Sequence, residues 1–111
     1  MPRWTVLCCL VAALWVAELG DARRSDTATT THTMVIDGVL FTPAALTVTV
    51  GDTVVWLNKD PFPHTVASQP GGFDSPPVAP DQSWSYTTTK TGVFPYLCTL
   101  HPTMHGTLTV E

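Results

Sequence analysis

From Thr33 onward, apolar and polar residues trade places with a period of two, the spacing of a strand that turns one face to a core and the other to water. Thr33–Asp37 is one such stretch, and Leu46–Val50 (LTVTV) alternates cleanly. Gly51-Asp52 then turns the chain into Thr53–Leu57 (TVVWL). Ser83–Thr87 (SWSYT) alternates again, Thr91-Gly92 offers a turn, Val93–Cys98 is extended, and Thr107–Val110 repeats the pattern. Most of the prolines fall between these stretches, in Pro61–Pro63 and in Gln69–Pro80. No segment carries an apolar stripe at helical spacing. The pattern predicts an all-β protein, a Greek-key β-sandwich of about seven or eight short strands. Its expected core is Val48, Val50, Trp56, Tyr86, Val93, Tyr96, Leu108 and Val110. Pro95 has no N–H to give to a ladder, so its strand is expected at an edge or with a bulge.

The first 22 residues do not share this alternation. Arg3 precedes an uncharged apolar run from Trp4 to Ala17, and Gly20–Ala22 supplies small residues, the layout of a secretory signal peptide cleaved near Ala22. The run is shorter than the roughly 20 residues a helix needs to cross a bilayer, so no stable membrane insertion is expected. Residues 23–31 (RRSDTATTT) are polar and aperiodic, a flexible lead-in. Residues 32–111 are then expected to form one domain with one modest core. This predicts an exported protein, periplasmic or otherwise extracytoplasmic.

Charge acts mainly by exclusion. The formal net charge is −4, with no basic stripe of the kind that tracks a phosphate backbone, so nucleic acid is not an expected partner. Neither a glycine-rich phosphate loop nor a Gly-x-Ser-x-Gly element occurs, and no acid pair is clustered. An enzyme is not expected. Asp37 and Asp52 sit beside glycines and read as turn residues.

The chemistry gathers in Cys98–Gly106 (CTLHPTMHG). Two of the three cysteines, Cys8 and Cys9, fall in the expected signal segment, which leaves Cys98 without a partner in the same chain. Alone, a cysteine or a methionine is usually a buried apolar side chain. Here Cys98, His101 and Met104 recur at every third residue. A thiolate, an imidazole and a thioether on one short loop favour copper, because zinc has little use for the thioether. Copper sites of this kind take two histidines and a cysteine in a plane with a weakly held methionine, so a second histidine is required. His64 stands in a proline-flanked loop beyond the Trp56 strand. His32 lies beside the lead-in and reads as incidental, and His105 could ligate only by displacing Met104.

With these residues the chain resembles the cupredoxins, small blue copper proteins, and among the plastocyanin-like members it is most similar to the amicyanins. The likeness is carried by residues 54–68 (VVWLNKDPFPHTVAS), 73–92 (FDSPPVAPDQSWSYTTTKTG) and 94–111 (FPYLCTLHPTMHGTLTVE). The Cys-x-x-His-x-x-Met spacing is the short loop of amicyanins. The resemblance implies His64, Cys98 and His101 as equatorial copper ligands and Met104 as the axial one. Asn58 matches an asparagine common before the first ligand loop. Two positions depart from the amicyanin pattern: Thr65 stands where an asparagine helps tie the ligand loops together, and Leu100 replaces a proline.

The resemblance further implies a type 1 copper protein with one copper per chain, carrying single electrons. Its donor and acceptor are expected to dock at an apolar rim around His101 made by Pro61, Phe62, Pro63, Leu100 and Pro102. A monomer is expected, since a carrier must expose one edge to two partners in turn. The alternative is a copper-handling protein, a carrier or buffer that delivers the ion itself.

Overall fold

The computed structural model describes residues 28–69 and 71–111. The expected signal segment and residues 23–27 of the expected lead-in lie outside them. Seven strands run in the order β1 (Thr31–Asp37), β2 (Leu40–Thr42), β3 (Ala45–Val48), β4 (Thr53–Asn58), β5 (Ser83–Thr87), β6 (Gly92–Cys98) and β7 (His101–Val110), and no helix occurs among the described residues.

The strands form two mixed sheets, one ordered β2-β1-β4-β5 and the other β3-β7-β6. The pairs β1–β4 and β3–β7 are parallel, and the remaining ladders are antiparallel. The period-two pattern decides which side chains lie between the sheets. Met34 and Ile36 of β1, and Val54, Trp56 and Asn58 of β4, point inward. From the other sheet come Tyr96 and Cys98 of β6, with Met104, Leu108 and Val110 of β7.

Trp56 is the largest fully buried side chain among the described residues. Its ring centroid lies 5.6 Å from that of Tyr96, 5.5 Å from Phe73 and 5.7 Å from Trp84. Its indole N–H donates to the Tyr96 hydroxyl at 3.4 Å, which gives the polar tip a partner in an apolar setting. Burying a side chain of this size is worth about 3 kcal/mol relative to leaving it in water.

Two expected core positions are corrected. Val93 is 64% exposed, because Tyr96 and Cys98 face inward and a residue an odd number of positions away must face out. Val50 is 44% exposed, because β3 ends at Val48 and the chain has already entered the turn before β4. Tyr86, half-buried on the edge strand β5, packs against the core as expected, its ring 4.9 Å from that of Phe73. Pro95 lies on β6, an edge strand, as its missing N–H favours, and the ladder shifts register only further on, at Leu97/Cys98.

Between β1 and β2, Gly38 (φ 63°) and Val39 (φ 58°) make the two-residue turn. Two positive φ values suit the right-handed twist of a hairpin, and glycine adopts one freely. A β-branched residue does not, so Val39 must be held from elsewhere.

Candidate metal centre

The site is assembled from two loops at one end of the sandwich. The first leaves β4 at Asn58, whose buried side chain organises it. Asn58 Nδ2 donates to the carbonyls of Phe62 (2.8 Å) and Val78 (3.0 Å), and Oδ1 accepts from the Asp60 N–H at 2.9 Å. This folds residues 59–63 back so that His64 can bridge to Val78, with reciprocal backbone bonds of 3.2 and 2.7 Å. The His64 ring is completely buried, and its Nε2 lies 2.7 Å from Asp60 Oδ2. Burial works against a charge on Asp60, but the Val39 N–H, the His64 ring and the Gly38 N–H outweigh it and hold the carboxyl below its usual range. An ionised carboxylate only accepts, so the His64 proton sits on Nε2 and the lone pair of Nδ1 faces the centre.

The second loop is short. β6 ends at Cys98, Thr99 and Leu100 turn the chain, and His101 opens β7 directly opposite Cys98. The Cys98 thiol is fully buried, 3.6 Å from His64 Nδ1 and 3.8 Å from His101 Nδ1. One ligand atom from each of His64, Cys98 and His101 lies within 4.8 Å of the others. Met104 is buried on the inward face of β7, three residues after His101. His32 and His105 stand outside this group: His32 bonds Asp52 at 3.0 Å, and His105 is exposed on β7.

The thiol is prepared to be a thiolate. Burial pushes its pKa up, but the Thr65 N–H at 3.3 Å, the two imidazoles and the Thr65 hydroxyl at 3.8 Å bring it down to about 6. A ligand must be deprotonated to bind, so this lowers the proton competition against a metal. A soft thiolate with two imidazoles, and a thioether three residues further along β7, is a donor set that fits copper.

The cupredoxin-like domain family matches residues 6–110 of the chain, a stretch that begins inside the apolar N-terminal run. The chain belongs to the cupredoxin-like family. It is 39% identical to the amicyanin of Paracoccus denitrificans over 71 residues, which is 60% of this chain and 54% of that protein. It is 30% identical to the plastocyanin of Scenedesmus fuscus over 86 residues, 66% of this chain and 88% of that one. A solved Cu(I) amicyanin variant superposes with a TM-score of 0.71 at 33% identity, covering 78% of this chain and 88% of the other.

Within this cupredoxin-like chain the two departures from the amicyanin pattern have clear structural consequences. Thr65, though shorter than asparagine, still ties the loops. Its hydroxyl lies 2.7 Å from that of Thr99 and accepts the Thr99 N–H at 2.8 Å. Leu100 is 50% exposed and adds to an apolar rim with Phe62, which is 38% exposed. The Phe62 ring lies 5.2 Å from the His64 ring and 5.5 Å from that of His101, which is half-buried.

Two contributors escape a reading of the sequence. Asp60 is one of several acids near turns, and only the fold turns it back onto His64. Thr99 lies inside the ligand motif as an apparent spacer, and its partner is on another loop. Asp52 does more than turn the chain, since it accepts the N–H groups of Thr30 and Thr49 as well as bonding His32.

Proposed function

We propose that this protein holds one copper ion through His64, Cys98 and His101, with Met104 as the weakly bound fourth ligand, and carries single electrons between redox partners outside the cytoplasm. The observation that carries this reading is the meeting of a hydrogen-bonded, low-pKa thiol with two imidazoles inside 4.8 Å, on loops anchored to both sheets. When bound, copper supplies a one-electron couple between Cu(II) and Cu(I). The chain supplies the rest. The two sheets hold the ligand loops still, so little rearrangement accompanies the change of charge. His64 and Cys98 are closed off from water, while His101 keeps part of its ring at the surface. Beside it, Phe62 and Leu100 offer an exposed apolar rim, and brief redox encounters need only a small interface. The apolar run at residues 4–17 supports an exported carrier with residues 1–22 as its signal, one edge used by two partners in turn suits a monomer, and the domain expected over residues 32–111 takes in Thr31 as well, where β1 begins.

The test is a Cu(II) titration of the purified metal-free protein, followed by visible absorption and electron paramagnetic resonance. An intense blue band that saturates at about one copper per chain, bleaches with reductant and vanishes in Cys98→Ser is the expected result. A colourless product, or tight binding of Cu(I) alone, would replace this reading with the copper-handling one.

A further inference from the structure

Asp60 stands behind His64 in a way that the ligand set alone does not require. Its carboxylate is buried and accepts three hydrogen bonds: Gly38 N–H on Oδ1 at 2.7 Å, Val39 N–H on Oδ2 at 2.9 Å, and the His64 ring on Oδ2 at 2.7 Å. Backbone N–H groups can only donate, so both oxygens are committed as acceptors, and the proton of the third bond belongs to His64 Nε2. The two donors are the central residues of the β1–β2 turn, at φ 63° and 58°. Successive N–H groups in such a turn form a concavity that suits an anion. Here the anion is supplied by the chain itself. The same contact gives a reason for Val39 to persist at a φ that a β-branched residue disfavours.

We propose that Asp60 is a positioning and tuning residue of the metal centre, in which a carboxylate clamped by the β1–β2 turn fixes the His64 tautomer, aims Nδ1 at the ligand cluster and biases the site toward the more highly charged metal ion. This rests on the copper reading above. A carboxylate on the far nitrogen of a ligand histidine orients the ring and raises its basicity, and loss of such partners typically costs about 10–100-fold in metal affinity or activity. One negative charge behind His64 stabilises Cu(II) more than Cu(I), so it holds the reduction potential down. The clamp also means that the turn between β1 and β2, a different loop from those carrying the ligands, is part of the centre.

The first measurement is the reduction potential of copper-loaded Asp60→Asn against wild type. Asparagine keeps the shape and removes the charge, so the blue band should remain while the potential rises by at least the roughly 59 mV that a tenfold change in a one-electron equilibrium represents. A blue Asp60→Asn protein with the wild-type potential overturns the proposal and leaves the copper reading standing. A wild-type protein that never turns blue overturns the copper reading instead. The second measurement needs neither metal nor variant: nitrogen–proton correlation NMR of the metal-free wild-type protein should show neutral His64 protonated at Nε2, with that proton slow to exchange with water. Protonation at Nδ1 overturns the proposal, even if Asp60→Asn fails to fold.

Discussion

The hydroxyls of Thr65 and Thr99 lie 2.7 Å apart and join the loop that carries His64 to the turn between Cys98 and His101. The same Thr65 sends its N–H to the Cys98 sulfur, so one residue both ties the loops and steadies the thiolate. Thr65→Val keeps the backbone N–H and removes the hydroxyl. It leaves Thr99 N–H without its acceptor, and a lost hydrogen bond of this kind costs about 1 kcal/mol. Loss of such support around a metal typically weakens binding by about 10–100-fold, so a chelator competition should show that drop, with the blue band shifted or broadened and not abolished. An unchanged affinity would show that the packing of the loops holds them without the hydroxyl.

Gly106 faces Tyr96 across the β6–β7 ladder, and a Cβ there would run into the tyrosine ring. Tyr96 has nowhere to retreat, since Phe41 packs on it at 4.7 Å and Trp56 at 5.6 Å. Gly106→Ala should therefore overpack the core by about 1–3 kcal/mol. For a domain of this size that lowers Tm by at least about 5 °C in calorimetry. A Tm equal to wild type would show that β7 can bow outward at this point.

Phe62 touches both imidazoles yet keeps more than a third of its surface in water, which suits a contact residue for a partner. Phe62→Asp should leave the blue band in place and reduce electron self-exchange between oxidised and reduced copies, because two rims meeting face to face would bring like charges together. Line broadening in NMR of mixed samples measures this, and a decrease of at least about tenfold, equivalent to 1.4 kcal/mol, is expected. Self-exchange at the wild-type rate would remove Phe62 from the docking surface.

Asp52 fastens the start of β1 at the end of the sandwich where Gly51 turns the chain. The Thr30 N–H, the His32 ring and the Thr49 N–H hold its pKa at about 2, against an opposing effect of burial. A carboxyl in the unfolded chain titrates near 3.9, so the folded state is favoured above that pH and loses the advantage as pH falls from about 4 toward 2. Asp52→Asn should be less stable than wild type at pH 7 and should decline less steeply over that acid interval, as read from urea midpoints. Parallel declines in the two proteins would place the acid sensitivity in another carboxylate.

Strands with strict alternation were legible because period two is a direct consequence of the pleat. β5 begins and ends where SWSYT does, and β4 extends TVVWL by one inward residue, Asn58. β2 has only three residues, too few for a period to show, and it exists because the β1–β2 turn brings it beside β1. β7 begins at His101 and not at Thr107, because the ligand stretch pairs with β6 although its sequence looks like a loop. In the site, Cys98, His101 and Met104 announce themselves by spacing within one short segment, whereas His64 follows only from the need for a second imidazole, with His32 and His105 set aside. Asp60, Thr65 and Thr99 act through contacts across the fold, and such contacts leave no period along the chain.

His64 and Cys98 are 34 residues apart in sequence, while Cys98 and His101 are only three apart. An unfolded chain can therefore offer a metal ion the local thiol, imidazole and thioether of Cys98, His101 and Met104, but not His64, which waits for long-range strand pairing that is slow in β proteins. Three donors on a loose chain accept many metals. With His64 added, the proposed four on a closed sandwich would impose a geometry and a size, so completion of the fold would act as a selection step in which an ion that does not suit the finished site is left weakly held. Metal discrimination in this protein is then partly a matter of when the chain closes, and not only of which atoms it presents.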